Sequence, residues 1–455
     1  MSRIKNVDVL NGRIFNSIIK FGIPLLLVAL IQSLFNAVDI MVLGQMADTN
    51  AVAAVGATTS IVHLLVTLAL GVSVGAKIVL ARLIGEGARD KTQQTVFTSI
   101  VTAVMLGLIT MAIGIVLAPS FLRLTECPEI IFDDARLYMS IYFAAAPAIM
   151  LYNFGSNILQ VSGDSQRPLY YMMISGSLNV VLNFVLCLVM EEKVAAVAIA
   201  TAASQIAGAV LVIRRISVIE GDCRFRIRGA RFNWRSFKLL MVNGLPIGFS
   251  SALYSLANLQ IQTALNSFGA EAIAGNSATI NIEGIMNSLT SAPWSSAVGV
   301  FVGQNVGADN KKRVKQSIII SLAISMGFSL LLGGIVVWFS APLLSLFVGG
   351  GEAVRYGQIR MLYIILPYAI ACLNGVLASA IQAFGFSIFS TVNSILSVFV
   401  FRMIWMKWVY PIYPSFHVLM QCFLVSWTLT ALVNLMFFFY VYYKKFKANK
   451  LKKMG

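Results

Sequence analysis

The chain alternates long apolar runs with short polar interruptions, and the length of the runs sets the expected elements. Twelve runs are long enough for a helix to cross the hydrocarbon core of a bilayer, which takes about 20 residues. In the first half they cover residues 16–43, 51–77, 93–118, 134–160, 169–190 and 194–213. In the second half they cover 239–265, 272–301, 317–340, 355–382, 386–408 and 419–443. Strands of a membrane barrel would run about 10 residues with alternating polarity, and these runs are longer and uniformly apolar. The pattern therefore predicts an all-α polytopic membrane protein with twelve transmembrane helices. Its expected parts are an N-terminal six-helix bundle over 1–213, a basic cytoplasmic connector over 214–238, and a C-terminal six-helix bundle with a basic tail over 239–455.

The two halves resemble each other at a shift of 222 residues. Gly22 and Pro24 recur as Gly244 and Pro246, Gly85 as Gly307, Gln160 as Gln382, and Gly163 as Gly385. After Gly85 and after Gly307 comes a short polar turn, EGARDK in one case and ADNKKR in the other. An internal duplication accounts for glycines and prolines that keep the same relation to helix ends. Each half has an even number of spans, so both enter the membrane in the same sense. Parallel repeats of this kind leave a cleft between them that opens to alternate sides when the halves rock.

Composition and charge narrow the class. Of 455 residues, 58% are hydrophobic and 11% charged, where a water-soluble domain carries about 25% charged residues. The net charge of +16 is not a nucleic-acid signature, because the bases lie in blocks between apolar runs, the arrangement that orients membrane proteins. Of the 34 Lys and Arg, 27 fall on one set of alternate sides, counting the two termini, and seven elsewhere, which predicts that both termini face the cytoplasm. Arg3, Lys5 and Arg13 before an apolar run resemble the start of a signal peptide. That run continues to Leu43 without a small-residue cleavage site, so a retained first span is expected. The five cysteines have no CxxC spacing, and His63 and His417 are too far apart in sequence to suggest a metal cluster. H-E-x-x-H does not occur, and the G-x-S-x-G match GVSVG at Gly71 to Gly75 lies inside an apolar run with no strand before it, so no enzyme and no cofactor are expected.

Polar residues inside the spans are the candidates for chemistry. Asp39 lies late in the first span with Gln32 and Asn36 on nearby turns of the same helical face. An unpaired carboxylate there is expensive and is expected to face the protein interior or a water-filled cavity, where it can exchange a proton or hold a sodium ion. Asn179 and Asn183 are one turn apart in the fifth span, with Thr201 and Ser204 in the sixth. Such side chains commonly bind helix to helix, but with Asp39 they would also make an oxygen set for a small cation. Glu283, near the middle of the eighth span with Asn276 close by, is a second candidate for cation or substrate contact, and Asn258 and Gln262 form a further polar pair. Tyr142, Trp294, Tyr254 and Tyr368 are among the aromatics that can line a cavity for a flat or cationic substrate. GVSVG from Gly71, GLPIG from Gly244 and GVFVG from Gly299 have the spacing of close helix contacts, not of a phosphate loop.

The order of these segments resembles the multidrug and toxic compound extrusion family. The resemblance rests on FGIPLLL at Phe21, NAVDIMVLGQM around Asp39, AVAAVGA at Ala51 and ARLIGEG closing the second span. ILQVSGDSQRP at Ile158, SLNVVLN at Ser177, VAIATAASQ at Val197, FGAEAIAGNS at Phe268 and FVGQNVGADNKKRV at Phe301 continue it. It implies two six-helix bundles around a central cavity, exporting small lipophilic organic cations in exchange for protons or sodium ions. It also implies that Asp39 is a cation-site residue and that Asn36, Asn179, Asn183 and Thr201 are its polar neighbours, with a possible sodium site at Asp39, Asn179, Asn183 and Thr201. Gln32, Tyr142, Asn258, Gln262, Glu283 and Trp294 are then cavity candidates. Many relatives carry Asp at the position of Asn183, and the missing charge weakens sodium coordination relative to a proton mechanism through Asp39. A bacterial cytoplasmic membrane, contact with membrane lipid and a monomeric state are also expected. The alternative is a flippase for a lipid-linked polar precursor. It requires bases deep in the cavity, and Arg360 and Arg402 are the nearest candidates, although a position facing the headgroups explains either.

Overall fold

The computed structural model describes residues 6–46, 49–226 and 231–452, apart from the side chains of Asn36, Ala37, Asp39, Ile40, Thr49, Leu259 and residues 447–452. Every regular element among the described residues is helical. In chain order these are α1 (Ile14–Met46), α2 (Thr49–Gly85), α3 (Arg89–Val116), α4 (Ala118–Leu124), α5 (Glu129–Ala144), α6 (Ala146–Val161), α7 (Gln166–Val189) and α8 (Lys193–Val218). After the connector follow α9 (Trp234–Asn266), α10 (Ala270–Thr290), α11 (Ala292–Gly307), α12 (Lys311–Trp338), α13 (Ser340–Ser345), α14 (Glu352–Ile364), α15 (Tyr368–Ala383) and α16 (Ser387–Ser394). The chain then continues through α17 (Phe401–Ile404), flanked on both sides by π-helical turns, to α18 (Phe416–Lys452).

Among the described residues nine helices are long and apolar enough to cross a membrane, and two bent pairs bring the number to eleven. The pairs are α5 with α6 and α14 with α15, each bent by 44°. Pro147 opens α6 and Pro367 stands immediately before α15, where a missing N–H breaks the ladder. The remaining expected span, 272–301, is divided between α10 and α11. Asn276, Asn281, Glu283 and Asn287 make α10 too polar for a hydropathy test, and α11 has only 16 residues. Exposed Leu188, Val210, Leu331 and Met436 suit a hydrocarbon surrounding, as expected of a polytopic membrane fold.

The chain packs as two compact units. One consists of Leu27–Gly248 with the described end of Met1–Asp8, and the other of Val9–Leu26 with Phe249–Gly455. Packing thus groups the chain differently from chain order at two segments: the start of α1 belongs with the C-terminal helices, and the start of α9 with the N-terminal ones. The two division points lie at the same 222-residue shift as the sequence repeat, each shortly after its proline, Pro24 or Pro246. Backbone conformation follows the repeat as well. Gly87 and Asp309 occupy equivalent left-handed positions, with φ of 66° and 55°, and so do Gly163 and Gly385, with φ of 85° and 92°.

In the N-terminal unit, α2 and the start of α9 are in backbone contact. A Cβ on Gly71 would strike Gly248, and one on Gly244 would strike Val72, so this seam requires the GxxxG spacing of both helices. Phe143, Met150, Phe154 and Leu240 belong to the core beside it. In the C-terminal unit the corresponding glycine, Gly22, lies under the ring of Trp294, and Phe21 meets Phe301 edge to face at 5.6 Å. The connector folds back on the N-terminal unit, where Phe225 stacks with Phe97 at 6.0 Å. Burial there pushes the Cys223 thiol up to about 12.

Candidate functional site

Each unit carries a polar cluster, and the described side chains of the two differ in charge. In the N-terminal unit, Asn179 and Asn183 are buried on α7, one turn apart. Asn183 Nδ2 donates to Asn179 Oδ1 at 3.4 Å, and Asn179 Nδ2 donates to Thr201 Oγ1 on α8, also at 3.4 Å. Ser204 Oγ bonds the Thr201 carbonyl at 2.8 Å. Three of the sequence-derived cation candidates therefore form one chain of long hydrogen bonds between two packed helices.

The side chains of Asp39 and Asn36 lie outside the described residues, but the helix that carries them is placed by its neighbours. Phe35 covers Gly176 on α7 so closely that a Cβ there would overlap its ring. Val42 and Leu43 share an apolar cluster with Cys187 of α7 and with Val194 and Val197 of α8, and Val38 packs against it. The α1 backbone thus runs along α7 in register, Phe35 at the level of Gly176 and Val42 at the level of Cys187. Position 39 falls between these contacts, at the level of Asn179 and Asn183. Gln32 is exposed. Tyr142 is half-buried and stacks with Tyr138 at 6.1 Å.

In the C-terminal unit, Glu283 is ion-paired: Arg360 Nη2 donates to its Oε2 at 2.7 Å. Arg360 Nη1 donates to Asn276 Oδ1 at 2.5 Å, and Asn276 Nδ2 donates to Gln262 Oε1 at 3.3 Å. Arg402, 1% exposed, donates from Nη1 to Asn258 Oδ1 at 2.7 Å and from Nε to Ser426 Oγ at 3.3 Å. Both guanidiniums rest on Phe423, with Cζ at 4.3 Å from the ring centroid for Arg402 and 5.4 Å for Arg360; Tyr254 lies 5.2 Å from Arg402. Arg402 sits on α17 between the π-helical turns, a distortion that often marks functional positions.

Six polar candidates from the sequence, Asn258, Gln262, Asn276, Glu283, Arg360 and Arg402, thus come together. Both arginines, for which a cavity position and a headgroup-facing position are equally good readings of the sequence, are buried among helices. Their signal in the sequence was an arginine within an otherwise apolar run. Phe423 and Ser426 had none, being ordinary residues of α18 until the arginines are placed against them. Trp294 is 3% exposed, and its indole N–H bonds the Leu289 carbonyl at 3.3 Å over Gly22, so it serves packing. Among the described residues no group of three His, Cys, Asp or Glu is arranged to hold a metal ion.

Comparison with known proteins agrees with this architecture. The family model MatE matches residues 24–185 and again 246–406, once per repeat. The probable multidrug resistance protein YoeA of Bacillus subtilis is 25% identical over 85% of this chain and 84% of its own length. The FAD transporter of Shewanella oneidensis is 25% identical over 77% of this chain and 78% of its own. The bent form of the Vibrio cholerae MATE transporter VcmN superposes with a TM-score of 0.86 at 20% identity, covering 96% of this chain and 98% of that one.

Proposed function

The chain belongs to the MatE family, and we propose that it is a secondary active multidrug exporter that moves small lipophilic organic cations by alternating access, in exchange for protons or sodium ions. The observation that carries the ion-coupled part is the course of α1. It brings position 39 to the level of Asn179 and Asn183 on α7, which bond in turn to Thr201 on α8. The amide and hydroxyl oxygens of Asn179, Asn183 and Thr201 are the ligands that an acid at this level would share with a small cation. Binding of a proton or sodium ion to Asp39 from outside would shift α1 against α7 and α8 and weaken the grip on the substrate, and release inside would regenerate the carboxylate. Coupling of this kind requires that ion and substrate prefer different states, since equal affinity for both states shifts nothing.

The distribution of bases supports both termini facing the cytoplasm, and the same reading takes the chain to work as a monomer in a bacterial inner membrane. The test is efflux of a fluorescent cation from proteoliposomes under an imposed proton gradient and then a sodium gradient. Wild type is expected to respond to at least one gradient, and Asp39→Asn to neither. Asn183→Asp, which adds a charge to the oxygen set, is expected to strengthen the sodium response. Efflux that persists unchanged in Asp39→Asn at every gradient would remove Asp39 from the mechanism.

A further inference from the structure

The C-terminal cluster has one more positive charge than it can neutralise. Arg360 is matched by Glu283. Arg402 is not: among the described residues no carboxylate lies within ion-pairing distance, and its acceptors are the neutral Asn258 Oδ1 and Ser426 Oγ. Its Nη2 is buried and has no hydrogen-bond partner, and the Nε of Arg360 is likewise unpartnered. A buried charge is costly unless paired and hydrogen-bonded, and an unmade hydrogen bond adds to that cost. The aromatic faces of Phe423 and Tyr254 offset only part of it, as cation–π contacts are individually modest. Packing alone does not explain the choice of residue, since a neutral side chain on α17 would fill this space without that cost.

The geometry points to a binding subsite for an organic anion, a phosphate or carboxylate group, held by Arg402 and Arg360 in the C-terminal unit. Guanidinium groups suit this role because their planar donors match carboxylate and phosphate oxygens. The more exposed side of the cluster is that of Glu283, whose side chain is 20% exposed, and of half-buried Asn258 and Tyr254. In the empty state Glu283 occupies one guanidinium as an internal anion, and an arriving anion supplies the charge that Arg402 lacks. Phe423 is already covered by both guanidiniums, so an aromatic ring attached to the anion would pack against half-buried Tyr254. The substrate range then extends from cations to anionic and zwitterionic amphiphiles. This inference rests on the reading of the chain as an exporter, but it concerns the C-terminal unit and not the Asp39 segment.

The test uses the full chain in proteoliposomes of zwitterionic lipid, with flavin mononucleotide as the soluble anionic probe, riboflavin as its uncharged counterpart and a cationic dye in the same vesicles. Flavin mononucleotide is expected to be moved by wild type and to lose at least tenfold in rate in Arg402→Gln, with the dye and riboflavin changed less than twofold. Arg402→Lys, which keeps the charge, is expected to recover part of the rate. If the anionic group belongs to a lipid, the nucleotide will not move; a headgroup-labelled anionic lipid will be flipped by wild type instead, with the same dependence on Arg402. Equal loss for all probes would assign Arg402 to structure and overturn the inference, as would movement of neither anion while the dye is exported. Failure of the dye as well would count against the export reading itself. Should Arg402→Gln fail to fold, quenching of tryptophan fluorescence in wild type decides the matter, since Trp427 lies 6.4 Å from the Phe423 ring. Tighter binding of flavin mononucleotide than of riboflavin supports the subsite, and equal binding overturns it.

Discussion

The two repeats have kept their backbone and parted in their electrostatics. Among the described side chains, the N-terminal cluster holds neutral amides and a hydroxyl at long distances, 3.4 Å twice. The C-terminal cluster holds two arginines and a glutamate at 2.5–2.7 Å for its closest bonds. Yet the left-handed positions 87 and 309, and 163 and 385, remain equivalent, and each repeat has one proline-linked span bent by 44°. Backbone conformation is set by Gly, Pro and helix length, which duplication copies intact. The charge of a buried cluster depends on three or four side chains, and those can change without altering a single turn. A loosely bonded neutral cluster is suited to receiving a small cation, whereas one already filled by its own salt bridge is not.

The largest effect is expected where that salt bridge is cut. Glu283→Ala would leave Arg360, 4% exposed, with Asn276 Oδ1 as its remaining hydrogen-bond partner. Removing one partner of a buried pair costs about 3–5 kcal/mol. A lower thermal midpoint in detergent, followed by intrinsic fluorescence, checks this. Adding Arg360→Met to the same chain removes the orphaned charge and is expected to restore most of the loss, as a double-mutant cycle would register. An unchanged midpoint in Glu283→Ala would mean that water or lipid already compensates Arg360, and the contrast between the units would weaken.

The helix seams give a second, smaller test. Gly71→Ala and Gly244→Ala each place a methyl group against backbone in the N-terminal unit, where neither helix can yield locally. Overpacking of this kind costs about 1–3 kcal/mol. Gly22→Ala in the C-terminal unit meets the ring of Trp294, a side chain, which can turn further than a backbone can shift. Thermal midpoints should therefore fall more for the first two substitutions than for the third. The reverse order would show that the buried indole is the more rigid wall.

Much of this fold is legible from the length of apolar runs alone, because a bilayer leaves a helix few alternatives. The least legible span also contributes to the charged cluster: of the four residues that make α10 too polar, Asn276 and Glu283 bond Arg360. Asp39 stood out as an acid among apolar residues. Its level relative to Asn179 and Asn183 depends on Phe35 meeting Gly176 and on Val42 clustering with Cys187, and both are contacts distant in sequence. The start of α9 looks like the first span of the second half in chain order. That it packs with α2 follows from the facing glycines at 71, 75, 244 and 248, whose spacing indicates a close contact but does not identify the partner. Pairing of Arg360 with Glu283, 77 residues apart, is invisible to any local pattern.

The smallest effect is expected from cutting the neutral cluster in the same manner. Asn179→Ala removes an acceptor from Asn183 and a donor from Thr201, two bonds of 3.4 Å at the long end of hydrogen-bond geometry. A typical hydrogen bond contributes a net of about 0.5–1.5 kcal/mol, and long ones fall toward the lower limit. Stability should therefore drop far less than in Glu283→Ala, although both substitutions remove a polar side chain that bonds a neighbouring helix. Transport should respond in the opposite order if this cluster lines the ion site: Asn179→Ala would fold nearly normally and lose its response to the coupling gradient. Measuring midpoint and efflux on the same preparation separates the two quantities. A variant as unstable as Glu283→Ala would mean that the amide pair is structural glue between α7 and α8, and the division of labour between the units would have to be drawn elsewhere.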